Sequence, residues 1–332
     1  MTVNSRFSLE TLRLDPRKET DKIAAALQKV VLCQFKKKGV VVALSGGIDS
    51  SVVGALCVYA LGKERVLALL MPERDSADET IRLSRLIAEH LGVATIEENI
   101  TPILEAVGCY RRRDEAIRSV IPEYGPGYTC KIVLPGVTDN ARYRLFSVVA
   151  MSPEGRQIKK RLTPQAYLGV VAATNFKQRT RKMLEYYHAD RLNYAVAGTP
   201  NRQEYDQGFF VKLGDGAADI KPIAHLYKTQ VYQMAEYLGV PREICSRPPT
   251  TDTYPMQQSQ EEFYFSVPYD KMDLCLYGKN NGYSPEDVAS AAAMTTEQVE
   301  RVFEDIDAKR RTTRYLHTPP ALVEDVPEIE IL

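Results

Sequence analysis

No cysteine in this sequence stands three positions from another. The six, at Cys33, Cys57, Cys109, Cys130, Cys245 and Cys275, therefore form no Cys-x-x-Cys pair. That argues against a zinc ribbon and a disulfide scaffold, and for reduced thiols in the cytoplasm. No apolar run is long enough to span a bilayer, and the opening MTVNSRFSLETLRLDPRKETDK has no apolar core of leader length. A cytoplasmic protein with no membrane partner is expected. There is no excess of charge either: Lys plus Arg and Asp plus Glu are both 43. A general nucleic-acid binder would carry a basic surplus, so none is expected as partner. Clusters such as Lys36-Lys37-Lys38 and Arg111-Arg112-Arg113 read as solvated faces. Internal repeats are absent as well.

What is present is an alternation. Asp15 to Lys38 carries Ile23, Leu27, Val30, Val31 and Phe35 at helical spacing. Strand-like Val40–Leu44 is followed by a helical Ser50–Leu61, strand-like Val66–Met71 by a helical Ala77–Leu91, and then comes a short strand, Val93–Glu97. Such alternation implies a parallel sheet with helices on both faces, and near-continuous apolar strands fit burial on both sides. From Cys109 to Thr163 the rhythm breaks. There Tyr143–Met151 and Arg156–Thr163 flank Ser152-Pro153-Glu154-Gly155 and read as a β-hairpin, with Tyr143, Leu145, Val149 and Met151 alternating with residues such as Arg144. A helix from about Gln165 to Tyr187, a strand at Tyr194–Ala197, a helix at Lys228–Leu238, a helical Pro285–Arg310 and an acidic tail follow. The 332 residues, 44% hydrophobic, suffice for one large domain, 1–332, with an insertion at about 109–163.

The stretch with chemical content is VVVALSGGIDSSVVGAL, Val40 to Leu56. Two glycines between strand and helix let backbone amides and a helix N-terminus face an anion together. The Lys-Ser/Thr of an ATP-binding P-loop is missing, and so is the Gly-x-Gly-x-x-Gly spacing of dinucleotide folds. What remains is Ser45-Gly46-Gly47-Ile48-Asp49-Ser50-Ser51: three hydroxyls and a carboxylate around two glycines. Hydroxyls and amides suit a pyrophosphate, and Asp49 suits the magnesium that neutralises it.

This loop resembles that of the ATP pyrophosphatases, which split ATP between its α and β phosphates. The resemblance implies a doubly wound, adenine nucleotide alpha hydrolase-like α/β fold. A second run, AVAGTPNRQEYDQGFFVKLGDGAADIKPIAHLYKTQVYQMA from Ala195 to Ala235, resembles the central signature of the NAD synthetase family. Asn175, Arg179, Arg181 and Met183 resemble that family's Asn…Arg-x-Arg-Met helix, with the methionine shifted by one residue. Pro249-Thr250, Tyr269-Asp270, Asp273 and Lys309-Arg310-Arg311 follow in the family's order. The resemblance implies an ammonia-dependent ligase using ATP and Mg2+. The nicotinic carboxylate of deamido-NAD is adenylated, pyrophosphate leaves, and ammonia displaces AMP to give NAD. It also implies that Ala43, Leu44, Ser45, Gly46, Gly47, Ile48, Asp49 and Ser50, with Thr199, Lys228 and Thr250, hold ATP. Asp49 and Glu204 would bind the metal, and Arg179, Lys212, Asp219 and Lys309 the deamido-NAD. Lys228 would clamp phosphate charge, and Asp219 is a candidate to receive the proton that ammonium must lose. His225 reads as packing or capping; Tyr254, Tyr264 and Phe265 read as core or as base-stacking groups.

Two departures stand out: Ala308 precedes Lys309 where the family often has His, and 109–163 is far longer than the family's usual connection. The loop arrives after about forty residues, too early for a preceding glutaminase, so free ammonia or a separate glutaminase is expected. A homodimer is expected too, with the insertion beside the acid-substrate site. Ligation of a different carboxylic acid and a non-catalytic nucleotide-binding module are the alternatives. The combination of Asp49, Glu204 and Lys228 speaks against the module, since a sensor needs no metal pair.

Overall fold

The computed structural model describes residues 7–134, 146–250, 253–256, 258–265 and 267–329. Helix α1 (Pro16–Leu27) starts at Asp15, whose carboxylate accepts from Lys18 N–H. It is shorter than the sequence suggested. From Gln28 to Gln34 the chain widens into a π-helical turn, closed by Phe35 N–H donating to Val30 C=O.

Four strands form the parallel sheet: β1 (Val40–Ala43), β2 (Val66–Leu70), β3 (Ala94–Glu97) and, later in the chain, Ala195–Ala197, in the order third, second, first, last. Helix α2 (Ile48–Leu61) and helix α3 (Asp78–Leu91) link the first three. The valine-rich strands are buried because alternate residues feed two cores. Val40, Val42, Val66, Ala68 and Leu70 face α1–α3, while Val41, Leu67 and Leu69 face the opposite layer. That layer holds α4 (Thr101–Ala106), α5 (Cys109–Arg118) and α6 (Pro164–Leu192).

Between α5 and α6 lies a second sheet of β4 (Thr129–Val133), β5 (Ser147–Met151) and β6 (Gln157–Arg161). The β5–β6 pair is the expected hairpin, antiparallel, with Ser147 opposite Arg161 and Met151 opposite Gln157. Tyr143, Arg144 and Leu145 of the expected first strand lie outside the described residues. Strand β4, which carries no clear sequence signal, pairs with the other edge of β5. Cys130, Ile132, Val148 and Ala150 point inward against Ile117, Ile121, Leu162 and Val170, which gives the hairpin the apolar support it needs.

After the long α6 come β7 (Ala195–Ala197), α7 (Arg202–Gln207), α8 (Lys228–Tyr237) and α9 (Arg242–Cys245). The end of the chain forms α10 (Tyr269–Asn280), α11 (Pro285–Ala292) and α12 (Thr296–Thr313), which share a fourth core with Phe7 and Leu12. The single helix expected over Pro285–Arg310 is two. Ala293 turns left-handed at φ 49°, and Thr295 caps the next helix by accepting from Gln298 N–H. Among the described residues no helix is long and apolar enough to cross a membrane.

Candidate active site

Strand β1 has β2 on one side and β7 on the other, so the chain leaves in opposite directions at its carboxyl end. Ligands of open α/β sheets sit at such a switch point. The loop after β1 and the segment after β7 meet here: Asn201 Nδ2 donates to Asp49 Oδ1 at 3.0 Å. Both border a cavity of about 450 Å³.

The glycine loop is built as its sequence implied. Gly46 has φ +71°, and a Cβ there would lie 2.8 Å from Leu83 Cβ and from Ser84 N in α3, so only glycine fits. The Ser50 and Ser51 hydroxyls both donate to Gly47 C=O, at 3.0 and 2.8 Å, fixing the turn into α2. Ala43, Leu44, Ser45, Gly47, Asp49 and Ser50 line the cavity. Gly46 and Ile48 do not: the first presses on α3 and the second is buried in the core beneath.

Behind the cavity wall Lys228, which does not itself line the cavity, donates through Nζ to Asp49 Oδ2 at 2.5 Å, with the lysine 1% and the aspartate 16% exposed. Burial alone would push Lys228 down, but the charges of Asp49 and Glu204 outweigh it and hold its pKa above the ordinary value. Lys228 opens α8, where Asp273 of α10 accepts from the Lys228 and Thr229 N–H groups at 3.1 and 2.7 Å. That buried carboxylate supplies the cap that Tyr227 cannot, and so fixes where the lysine projects. Glu204 lies in the first turn of α7, which Asn201 caps. Its Oε2 accepts from Asn201 N–H at 3.1 Å and its Oε1 from Gln260 Nε2 at 3.2 Å. Burial first, and the Asp49 charge second, push its pKa up. Two hard carboxylates in one water-accessible cavity suit magnesium, which keeps waters and takes phosphate oxygens for its remaining positions. Among the described residues no third His, Cys, Asp or Glu joins them.

Thr199 and Thr250 also line the cavity, but the four residues expected to touch the acid substrate do not. Arg179 is exposed on α6 and donates to Lys212 C=O at 3.3 Å. Lys212 Nζ donates to Tyr315 C=O at 2.7 Å. Asp219 is exposed; its carboxylate accepts from Val196 N–H at 2.7 Å and from Tyr186 OH at 3.2 Å, on the flank of β7. Lys309 is buried, donating to Tyr264 C=O at 2.8 Å and paired with Asp305. Of the three aromatics, Tyr254 and Tyr264 face the cavity and Phe265 belongs to the core. His225 is exposed and bonds Glu19 at 2.7 Å.

Of the polar wall supplied by α6, the sequence motif named Asn175 and Arg181, which line the cavity, without giving them a role, and sequence reasoning missed the rest. Thr174, Gln178, Arg181 and Glu185 recur along one face of that helix and line the cavity, as do Lys177 and Lys182. Lys182 and Glu185 form a buried pair at 2.6 Å. Lys177, 2% exposed, donates to Glu73, to Asp75 and to Thr253 C=O at 2.8, 2.8 and 2.9 Å. A polar stripe at helical spacing looks the same in sequence whether it faces water or a cavity.

The NAD synthase family model matches residues 19–119 and 145–315. The NH(3)-dependent NAD(+) synthetase of Rhizobium meliloti (strain 1021) is 59% identical over 324 residues, covering 98% of this chain and 97% of that protein. Among solved structures, the NMN synthetase from Francisella tularensis aligns with a TM-score of 0.63 at 22% identity, over 95% of this chain and 100% of that one. The NH3-dependent NAD synthetase from Campylobacter jejuni subsp. jejuni NCTC 11168, in complex with the nitrate ion, aligns at 0.61 and 22%, over 94% and 100%.

Proposed function

The chain belongs to the NAD synthase family, and from that membership we propose how its residues divide the work. The reaction is ATP-dependent amide formation. The nicotinic carboxylate of deamido-NAD attacks the α-phosphorus of ATP, pyrophosphate leaves, and ammonia then displaces AMP from the acyl carbon. A carboxylate alone has only oxide to expel, and adenylation gives it a good leaving group. The protein's task is then positioning and charge neutralisation.

The loop from Ser45 to Ser51 holds the departing pyrophosphate through its hydroxyls, its amides and the N-terminus of α2. Lys228 neutralises phosphate charge from the buried end of α8. Asp49 and Glu204 are the residues that would hold magnesium, which when bound would screen the charge of the triphosphate. The Asp49–Lys228 contact beside the glycine loop carries this reading, because it sets a carboxylate on the cavity wall with a buried lysine directly behind it. Thr199 and Thr250 border the same space and complete the ATP site.

Arg179, Lys212, Asp219 and Lys309 serve the dinucleotide from outside this cavity. Asp219 keeps that role alone, since its carboxylate is engaged at β7 and does not line the cavity. A homodimer suits this arrangement. Met183 and Tyr187, one turn apart on α6, are 55% and 60% exposed beside Arg179, a surface that a second copy would cover. The whole chain acts as one unit, with the described parts of 109–163, α5 and β4 to β6, packed into it against α6. Purified protein given deamido-NAD, ATP, magnesium and ammonium should form NAD, AMP and pyrophosphate in equal amounts, and little NAD when glutamine replaces ammonium. Hydrolysis of ATP to ADP, or efficient glutamine use by the chain alone, would overturn the reading.

A further inference from the structure

Strand β4 lies within 120–144, the stretch that the family match leaves out. One of its edges pairs with β5; contacts from the rest of the strand reach residues 253–256 and 258–265, which end in a π-helical turn at Glu261–Phe265. That segment supplies Thr253, Tyr254, Gln260, Phe263 and Tyr264 to the wall of the catalytic cavity. Met256 N–H donates to Cys130 C=O at 3.2 Å, and Leu134 N–H donates to Glu262 C=O at 3.4 Å. Gln258, 2% exposed, donates through Nε2 to Ile132 C=O at 2.5 Å. Lys131 Nζ reaches both Glu262 carboxylate oxygens, at 2.7 and 2.8 Å. Tyr254 shares one apolar core with Cys130 and Ile132, and Phe263 packs against it.

On its cavity side the same segment touches the proposed chemistry. Gln260 donates to Glu204, and Thr253 C=O accepts from the buried Lys177. The wall is thus held from behind by β4 and meets the catalytic groups in front. Beyond the π-helical turn Glu261–Phe265 and the bridge from Ser259 to Thr250, this segment has little regular bonding of its own, and such a segment loses conformational freedom when it orders. If substrate must impose that order, the cost is taken from affinity.

We propose that β4 is a brace. Lys131 and Gln258 are positioning residues that keep 253–265 in place as a wall of the cavity before substrate arrives. The inference rests on the amidation reading above. Removing the brace lowers the fraction of molecules with a formed wall, and apparent substrate affinity falls by that fraction. The chemical step inside a filled cavity changes little.

The test compares the unaltered protein with Lys131→Met, with Lys131→Met/Gln258→Leu and with Lys131→Arg. The double variant should raise KM for ATP or for deamido-NAD about fivefold or more, with kcat within about twofold. Chymotrypsin should cut it after Phe263, Tyr264 or Phe265 faster than the unaltered protein when ATP is absent, and saturating ATP should restore protection. Lys131→Arg should behave as the unaltered protein. Should the double variant not fold, Lys131→Met alone carries the test, because that pair is only partly buried. Unchanged KM and unchanged cleavage, even with a lower Tm, would reduce β4 to a structural support and overturn the proposal. Rapid cleavage of the unaltered protein until ATP is added would overturn it too. Failure of the unaltered protein to make NAD would instead strike the functional reading, and ATP-free cleavage would still report on the brace.

Discussion

Asp49 shares its two oxygens between Lys228 and Asn201, and so ties α8 and the segment after β7 to the glycine loop. Asp49→Asn should lower turnover by orders of magnitude, since it removes charge-assisted contacts made where pyrophosphate departs. It should also cost about 1–3 kcal/mol of stability, because Lys228 is buried and loses its nearest counter-charge. Turnover assays with magnesium as the only metal, and thermal unfolding, measure the two effects; near-normal turnover would remove Asp49 from the mechanism. Asp75 is a structural counterpart. Burial alone would raise it, but Lys177 and Arg113, at 2.8 and 2.6 Å, outweigh that and hold its pKa below the ordinary 3.8. A depressed carboxylate stabilises the fold above its unfolded value, and the contribution is lost as pH falls through the folded one. Asp75→Asn should therefore unfold at a lower temperature than the unaltered protein at neutral pH, and the gap should shrink as pH drops below 3.8. A gap that stays constant into acid would contradict this. The Ser45–Ser51 loop was legible because glycines, hydroxyls and a carboxylate have few other reasons to follow a buried strand together. Lys177 and Glu185 were not, since a single charged residue in a helix carries no mark of the cavity it faces.

At the scale of elements, period and burial decided what could be read. Strands β1 and β2 announce themselves as apolar runs because both faces are covered. Helix α10 gives no periodic signal: Met272 to Leu276 are all buried, so no polar face alternates with an apolar one. Strand β4 is five residues long and has Lys131 at its centre, too little pattern to stand out beside Gly125-Pro126-Gly127. The exposed α6 face makes its own prediction. Met183→Asp should shift the protein from dimer to monomer in sedimentation, and it should weaken deamido-NAD more than ATP. A parent that sediments as a monomer, or a variant that stays dimeric, would exclude α6 as the interface.

Over the whole molecule, the two layers on the parallel sheet line one cavity, and the C-terminal helices act on it from behind, through α8. Asp273 of α10 fixes Lys228 against the glycine loop, whose Ile48 is anchored in the core shared by the sheet and α1 to α3. The balanced charge and the alternating strands and helices were enough to read the class of fold, and the glycine loop with its downstream run was enough to read the chemistry. The placement of Arg179, Lys212 and Asp219 outside the cavity was not readable, because sequence spacing fixes order along the chain and not the direction a surface faces. Adenylation of one particular carboxylate is the claim on which everything else depends. It is tested most directly by exchange of labelled pyrophosphate into ATP, with magnesium and without ammonia, across a panel of carboxylic acids that includes deamido-NAD. Exchange that requires deamido-NAD and disappears in Asp49→Asn is the expected result. Exchange supported equally by unrelated acids, or none with deamido-NAD while NAD still forms on adding ammonium, would contradict an acyl-adenylate made in this cavity.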